Sequence, residues 1–344
     1  MSAPPSNPAP RKLAVPVQEL VLLAVIVVEL VLFQVTGRRF LMADNMGNIL
    51  RHSTEIGLLA LVMMPIILTG GIDLSVGSLL GLCAVLFGKM CEEAGLSPVV
   101  AGGLTLVIGG LCGGFNALLI TELRLPPLIV TLGTYSLFRG LAEAITKGTA
   151  TYSKFPASFL LLGNGSFAGL PTQVWVFLLV ALLIWILVHQ MTYGRSWRAI
   201  GFAPEGARYA GLPVDRRVAL AYVLAGVVSG LAAIIYTARV TQARADAGSG
   251  YELAAITAVV LGGTSIFGGV GNVSGTILGI LAIAILSNGL SRIPTIISYS
   301  RELSGMCTGG LLLLALAGSA LAKIISTHRQ RRQSLPVTPK PTST

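Results

Sequence analysis

The sequence predicts an all-α, polytopic membrane protein with about ten transmembrane helices, and three observations predict it. Hydrophobic residues fill 53% of the 344 positions and charged residues only 11%, where soluble domains carry roughly 25% charged residues. Apolar runs of about 20 residues, the length that crosses a hydrocarbon core roughly 30 Å thick, recur along the whole chain. The positive residues gather between and beyond those runs rather than on a stripe interleaved with aromatics. The formal charge of +10 therefore points to lipid headgroups and to loops held on one side of a membrane, not to nucleic acid.

The elements follow in order. The first sixteen residues are Pro- and Ser-rich with only Arg11 and Lys12 charged, a composition that reads as a disordered tail. Spans are expected near 17–36, 50–69, 74–90, 97–121, 127–147, 171–190, 216–238, 252–265, 271–290 and 303–323. The run Val17–Thr36 is too long for the apolar region of a signal peptide and is expected to stay as the first span. Lys89 with Glu92 and Glu93 makes a net negative turn after the third span, and the 148–170 stretch carries one lysine. The longest hydrophilic stretch, Met191 to Arg217, holds Arg195, Arg198, Arg208, Arg216 and Arg217 against Glu205 and Asp215, which places it in the cytoplasm by the positive-inside rule. Six spans precede it and four follow, so both termini fall on that same side. The expected organisation is a cytoplasmic tail at 1–16, one transmembrane domain at 17–323 with its cytoplasmic loop at 191–217, and a cytoplasmic tail at 324–344.

Glycine is abundant inside spans, in the pairs Gly109/Gly113, Gly226/Gly230 and Gly275/Gly279. Small residues four apart let helix backbones approach closely in lipid, where no hydrophobic effect drives helices together. Cys83, Cys91, Cys112 and Cys307 lie in or beside apolar segments with no CxxC pair, so they read as packing residues rather than zinc ligands or a disulfide framework.

Three segments break the apolar pattern. In Thr69-Gly-Gly-Ile-Asp-Leu-Ser-Val-Gly-Ser78 the paired Gly70 and Gly71 end one helix, and Asp73 and Ser75 can cap the next, ahead of Gly77. An aspartate at membrane depth costs about 3 kcal/mol unless it is paired. That makes Asp73 either a helix cap or part of a gate. The run Gly262-Gly-Thr-Ser-Ile-Phe-Gly-Gly-Val-Gly-Asn-Val-Ser-Gly275 is a second glycine-rich break, with Gly262, Gly263, Gly268 and Gly269. It lacks the Lys-Ser/Thr that ends a phosphate-binding loop and no strand precedes it, so it is not a nucleotide site. The two breaks lie 192 residues apart and each precedes a small-residue-rich apolar helix, a hint of internal duplication. The third segment is the arginine-rich loop, where a short amphipathic helix is expected around Pro204–Ala210 with Gly211 as its stop.

Together GGIDLSVGS, YGRSWRAIG…AR…GLPV and VVLGGTSIFGGVG resemble the permease subunits of ribose, rhamnose, related monosaccharide and autoinducer-2 importers driven by an ATP-binding cassette (ABC), in the branched-chain amino acid/monosaccharide permease family. The similarity runs from about Asn48 to Leu316, leaving both tails outside, and is closest to the autoinducer-2 and rhamnose permeases. It implies a type II-like ABC importer permease in the bacterial inner membrane, paired with a second copy or a paralogue. Two cytoplasmic ATPase domains and a periplasmic solute-binding protein would complete the importer, with no cofactor on this chain and no nucleotide site of its own. The family's ATPase-coupling loop maps onto Gly194, Arg195, Arg198, Ala199, Ile200, Gly201, Ala207, Gly211 and Leu212. Many relatives have Asn where this chain has Pro204, a departure that bears on the local helix cap. The resemblance transfers no solute-contact residue and does not name the solute.

Two other classes compete. An ion-coupled carrier or channel usually shows several intramembrane carboxylates or histidines, and the sequence offers Glu29 and Glu143 as the main candidates. A membrane-embedded enzyme needs a reactive constellation. His52, His189 and His328 are scattered at span ends, and no HExxH, GxSxG or paired-carboxylate motif is present.

Overall fold

The computed structural model describes residues 17–37, 39–295, 297–300, 302–315 and 317; the expected tails at 1–16 and 324–344 and the end of the last expected span lie outside them. The helices are α1 (Val17–Thr36), α2 (Ala43–Leu68), α3 (Val76–Glu92), α4 (Pro98–Thr121), α5 (Pro127–Ile145), α6 (Ala157–Asn164), α7 (Thr172–Trp185), α8 (Thr192–Phe202), α9 (Pro204–Tyr209), α10 (Val214–Val240), α11 (Tyr251–Leu261) and α12 (Val273–Leu290). A further apolar helix, α13, spans Glu302–Ala315. The strands β1 (Ser166–Phe167) and β2 (Leu170–Pro171) pair antiparallel in a small hairpin ahead of α7. A π-helical turn, Ile186–Gln190, continues α7.

Among the described residues seven helices are long and apolar enough to cross a membrane. Each of the ten expected spans falls on a helix, but three of those helices are short. The span expected at 252–265 is the eleven-residue α11, about 16 Å long at 1.5 Å per residue, which is half a bilayer. It stops at Leu261 because Gly263 turns the chain with φ +94°, a conformation that glycine takes without steric cost.

α2 is the axis of the bundle. From Gly57 to Leu68 every side is buried, because the sequence there is apolar all round and α7, α10, α11 and α12 pack about it. α1, α4, α5 and α7 instead turn branched aliphatic side chains outward, Val28, Leu111, Ile129 and Leu179 among them, as a face meeting lipid tails does. α4 and α10 touch backbone to backbone: a Cβ at Gly109 or Gly113 would overlap the Gly226 or Tyr222 carbonyl, and one at Gly226 would come within 2.9 Å of the Gly113 nitrogen. The small-residue spacing therefore builds the interface it predicts. The cysteines at 83, 91, 112 and 307 are free thiols, buried or half-buried.

Between α10 and α11 the chain runs without helix through residues 241–250. Thr241 ends α10 with φ +59° and Gly250 opens α11 with φ +83°. This segment lies along α3, with Ala243, Ala247 and Gly248 buried against it and Arg244, Asp246, Ser249 and Gly250 exposed on its other side. The Cβ of Ala243 packs at Gly88 (2.7 Å), the carbonyls of Ala245 and Ala247 at Gly81 (2.9 and 2.8 Å), and that of Gly248 at Gly77 (2.6 Å), measured to the Cβ each α3 glycine lacks. The strip therefore follows α3 inward for about 16 Å, the rise of the eleven residues from Gly88 to Gly77. The Arg139 guanidinium from α5 donates to the carbonyls of Ala245 and Ala247, satisfying backbone groups that cannot pair within a helix.

Candidate functional site

The arginine-rich loop is two helices, α8 and α9, where the sequence predicted only the second. α8 buries Gly194, Ser196, Trp197 and Ile200 and exposes Arg195, the spacing of an amphipathic helix lying on a surface. Trp197, fully buried, anchors it: its Nε1 donates to the Arg217 carbonyl at 2.8 Å. The Arg217 guanidinium in turn lies 4.0 Å from the centre of the Tyr193 ring, a cation–π contact. α9 ends as expected, with Gly211 at φ +79° and the Leu212 amide returning to the Ala207 carbonyl at 3.0 Å. Ile200, Ala207 and Val214 close a small apolar cluster beneath the two helices, with Leu212 packed on it. Arg208 pairs with Asp215 at 2.6 Å, an exposed bridge worth about 0–1 kcal/mol. The outer face presents Phe202 and Tyr209, 71% and 90% exposed.

The junction beneath α8 joins all three segments that the sequence singled out. The Gly269 amide donates to the Leu68 carbonyl at 2.9 Å, which ties the second glycine-rich break to the end of α2. Gly201 sits on that hydrogen bond: a Cβ there would overlap the Leu68 oxygen and the Gly269 nitrogen and reach the Gly268 carbonyl carbon at 3.0 Å. A Cβ at Gly268 would lie 2.9 Å from the Gly201 Cα and 3.0 Å from the Gly70 nitrogen. Arg198 donates to the Val188 carbonyl at 3.1 Å and to the Gly271 carbonyl at 3.4 Å. Partial burial lowers its pKa from the ordinary arginine value, without removing its charge near neutral pH. Gly70, Gly201, Gly268 and Gly269 thus meet nearly backbone to backbone, with the Phe202 ring of α8 lying over Gly269 and the Arg198 side chain reaching Gly271.

The remaining candidates fall nearby or elsewhere. Gly194 presses on the Val188 backbone, and Ala199 lies half-buried on α8. Gly71 faces the Tyr222 hydroxyl, 2.6 Å from where its Cβ would be. Asp73 is buried, with no cation paired to it among the described residues. One of its oxygens accepts from the Ser75 amide at 2.8 Å and the Ser75 hydroxyl at 2.6 Å. Asn116 of α4 donates to the Ser75 hydroxyl at 2.9 Å, and Thr131 of α5 to the Ile72 carbonyl at 3.2 Å. Both Asp73 bonds go to Ser75, the residue ahead of α3, and the helix receives no side-chain cap bond from Ser75; Ser75 ties the break to α4. Gly77 belongs to the 241–250 strip rather than to this junction. Gly262 packs on Gly275, and Gly263 lies against Gln18 of α1.

Sequence reading missed the most buried ion pair. Arg239 of α10 binds Glu55 of α2 at 2.6 Å and His52 Nδ1 at 3.0 Å, and Glu55 is fully buried. His52 also lines a cavity of about 290 Å³ between α2 and α12. Of the two carboxylates proposed for the spans, Glu29 is buried and Glu143 is exposed, whereas Glu55 and Glu252 are buried as well. Glu55 stands inside an expected span, but Arg51, one turn before it, is the nearer cation in sequence, so local pattern does not point to Arg239. Among the described residues no group of three or more His, Cys, Asp or Glu could hold a metal ion; His328 lies outside them.

Residues 45–316 match the family model described as branched-chain amino acid transport system / permease component. The chain is 39% identical over 332 residues to the autoinducer 2 import system permease protein LsrD of Yersinia pseudotuberculosis serotype O:1b (strain IP 31758), covering 92% of this chain and 96% of that one. It is equally similar, over the same shares, to the LsrD protein of Yersinia pestis (strain Pestoides F). No solved structure matches. With the family model spanning most of its length and relatives matched nearly end to end, the chain belongs to the branched-chain amino acid transport system / permease component family.

Proposed function

We propose that the chain is the membrane-spanning subunit of an ABC importer that carries autoinducer-2 or a related monosaccharide across the bacterial inner membrane. The observation that carries this reading is the glycine junction, where an exposed helix pair with aromatic tips is bolted, backbone to backbone, onto two breaks within the spans. The similarity to relatives named for autoinducer 2 import supports the solute, and the ATPase, second permease and periplasmic binding protein follow from that class of machine. The chain is a transport component rather than an enzyme; ATP hydrolysis belongs to the partner.

In this account ten crossings place both termini and α8–α9 in the cytoplasm. Parity agrees with the junction, since the ends of α2 and α11 and the starts of α3 and α12 must then lie at the cytoplasmic end, where α8 meets them. Closure of the ATPases displaces α8. Gly201 transmits that displacement to Leu68 and to the 268–271 turn, and the two helix sets rock between outward and inward openings. Reconstituted with its partners, the importer should accumulate autoinducer-2 only with ATP. Uptake that survives ATP depletion but fails when ion gradients are dissipated would instead establish the ion-coupled carrier.

A further inference from the structure

The 241–250 strip puts charge where lipid cannot accept it. Arg244 and Asp246 form a two-pronged pair, Nε to Oδ1 at 3.0 Å and Nη2 to Oδ2 at 2.9 Å, with side chains 48% and 63% exposed. Ser249 and Gly250 beside them are also exposed. Their neighbours Ala245 and Ala247 pack at Gly81, eleven residues from the end of α3 at Glu92, so the pair lies about 16 Å below that end of the helix. That is mid-bilayer for a core roughly 30 Å thick. An exposed ion pair at this depth is tolerated only if it faces water, and non-helical backbone at this depth only where protein or a water-filled cavity surrounds it.

Three further features converge on the same place. Arg139 holds the strip's carbonyls from α5 and fixes its course. α11 begins here, so the positive end of a half-membrane helix opens beside the pair. Glu252 in its first turn is buried, and its Oε2 has no partner among the described residues.

We propose that residues 244–250 line the solute path at mid-membrane, with the Arg244–Asp246 pair and Ser249 as the groups that read the solute. The chemistry fits a small, neutral, polyhydroxylated molecule. The pair is charge-neutral as a unit, so it neither attracts nor repels a net charge. Its carboxylate keeps lone pairs and its guanidinium keeps N–H groups beyond those used between them, in fixed planar geometry that adjacent hydroxyls can bridge. An anionic or cationic solute would find no uncompensated partner in the pair. The assignment rests on the importer reading for the identity of the solute, but not for the existence of a wet path.

The test uses the complete importer in cells, in a background with Cys83, Cys91, Cys112 and Cys307 replaced. Ser249→Cys should react with a charged, water-soluble methanethiosulfonate, and saturating autoinducer-2 should slow that reaction. Leu111→Cys, on the outward face of α4, should stay unreactive. Asp246→Asn should raise the KM for uptake about ten-fold or more, the loss of a charged hydrogen bond, while membrane content of the importer stays unchanged. A Ser249→Cys that reacts only with a membrane-soluble maleimide, or with neither reagent, overturns the proposal by making the strip lipid-facing or a dry subunit contact. An unchanged KM in Asp246→Asn with full uptake overturns the solute-reading role. Should the parent carry none of autoinducer-2, ribose and rhamnose, the importer reading fails, while the cysteine reactivity still decides whether the path is wet.

Discussion

Gly201→Ala tests the junction with one methyl group. The added Cβ would overlap the Leu68 oxygen and the Gly269 nitrogen, both backbone atoms, and touch the Gly268 carbonyl carbon at 3.0 Å. To restore ordinary contact α8 must lift from the junction by roughly 1 Å or more, forfeiting much of the dispersion energy of that face. Overpacking of this kind costs about 1–3 kcal/mol. Stretching the 2.9 Å bond from the Gly269 amide to the Leu68 carbonyl removes about 1 kcal/mol more. The total, about 2–4 kcal/mol, falls on the junction and not on the core of the bundle, so the protein should insert and assemble. Coupling should suffer: in proteoliposomes with the partner ATPase, solute carried per ATP hydrolysed should drop at least ten-fold while ATPase turnover persists. Gly206→Ala is the matched control, because its Cβ would meet only the Ala203 Cβ at 3.4 Å. Wild-type transport per ATP in Gly201→Ala would refute the reasoning.

Further expectations follow from other parts of the molecule. Arg239→Met leaves Glu55 buried without its partner and should destabilise the protein by about 3–5 kcal/mol, whereas Arg239→Met with Glu55→Leu should recover most of the loss; thermal unfolding of the detergent-purified protein measures both. Gly113→Leu should abolish α4–α10 contact, since even a Cβ overlaps the Tyr222 carbonyl, and should appear as loss of folded protein on size-exclusion chromatography. Glu92, at the end of α3 beyond the span, accepts amide hydrogens from Lys154 at 3.2 Å and Ser153 at 2.9 Å, and these bonds, the Lys154 amide foremost, hold its pKa below the ordinary value. A depressed carboxyl pKa contributes stability that is present above the unfolded value near 4.3 and is lost as pH falls through the folded value. Hydrogen exchange in residues 153–155 should therefore show protection at neutral pH that Glu92→Gln lacks, with the two proteins converging once the carboxyl is protonated.

Much of the fold was legible because a bilayer imposes one rule, apolar length, that survives in a single sequence. The spans at 17–36, 97–121 and 271–290 fell within a residue or two of α1, α4 and α12 for that reason. α2 begins at Ala43, seven residues before the expected start, because its first two turns are polar and hydropathy alone reads them as loop. α8 was missed for a related reason: it lies on the end of the bundle, so its apolar face is only Trp197, Ile200 and small residues. The junction was half visible. Glycine clusters announced two of the breaks and arginines the third segment, but that Gly201, Gly268 and Gly70 occupy one point is a fact of packing that no local pattern encodes. The strip at 241–250 reads in sequence as an ordinary polar loop, and only its course along Gly88, Gly81 and Gly77 shows how far along α3 it reaches.

The account depends most on α8–α9 facing the cytosol and gripping the motor, and a single cysteine decides it. Tyr209→Cys, at a site 90% exposed on α9, should escape an impermeant maleimide in intact cells, react in inverted membrane vesicles, and cross-link to the ATPase subunit. Labelling of that cysteine from the periplasmic side of intact cells would contradict the account.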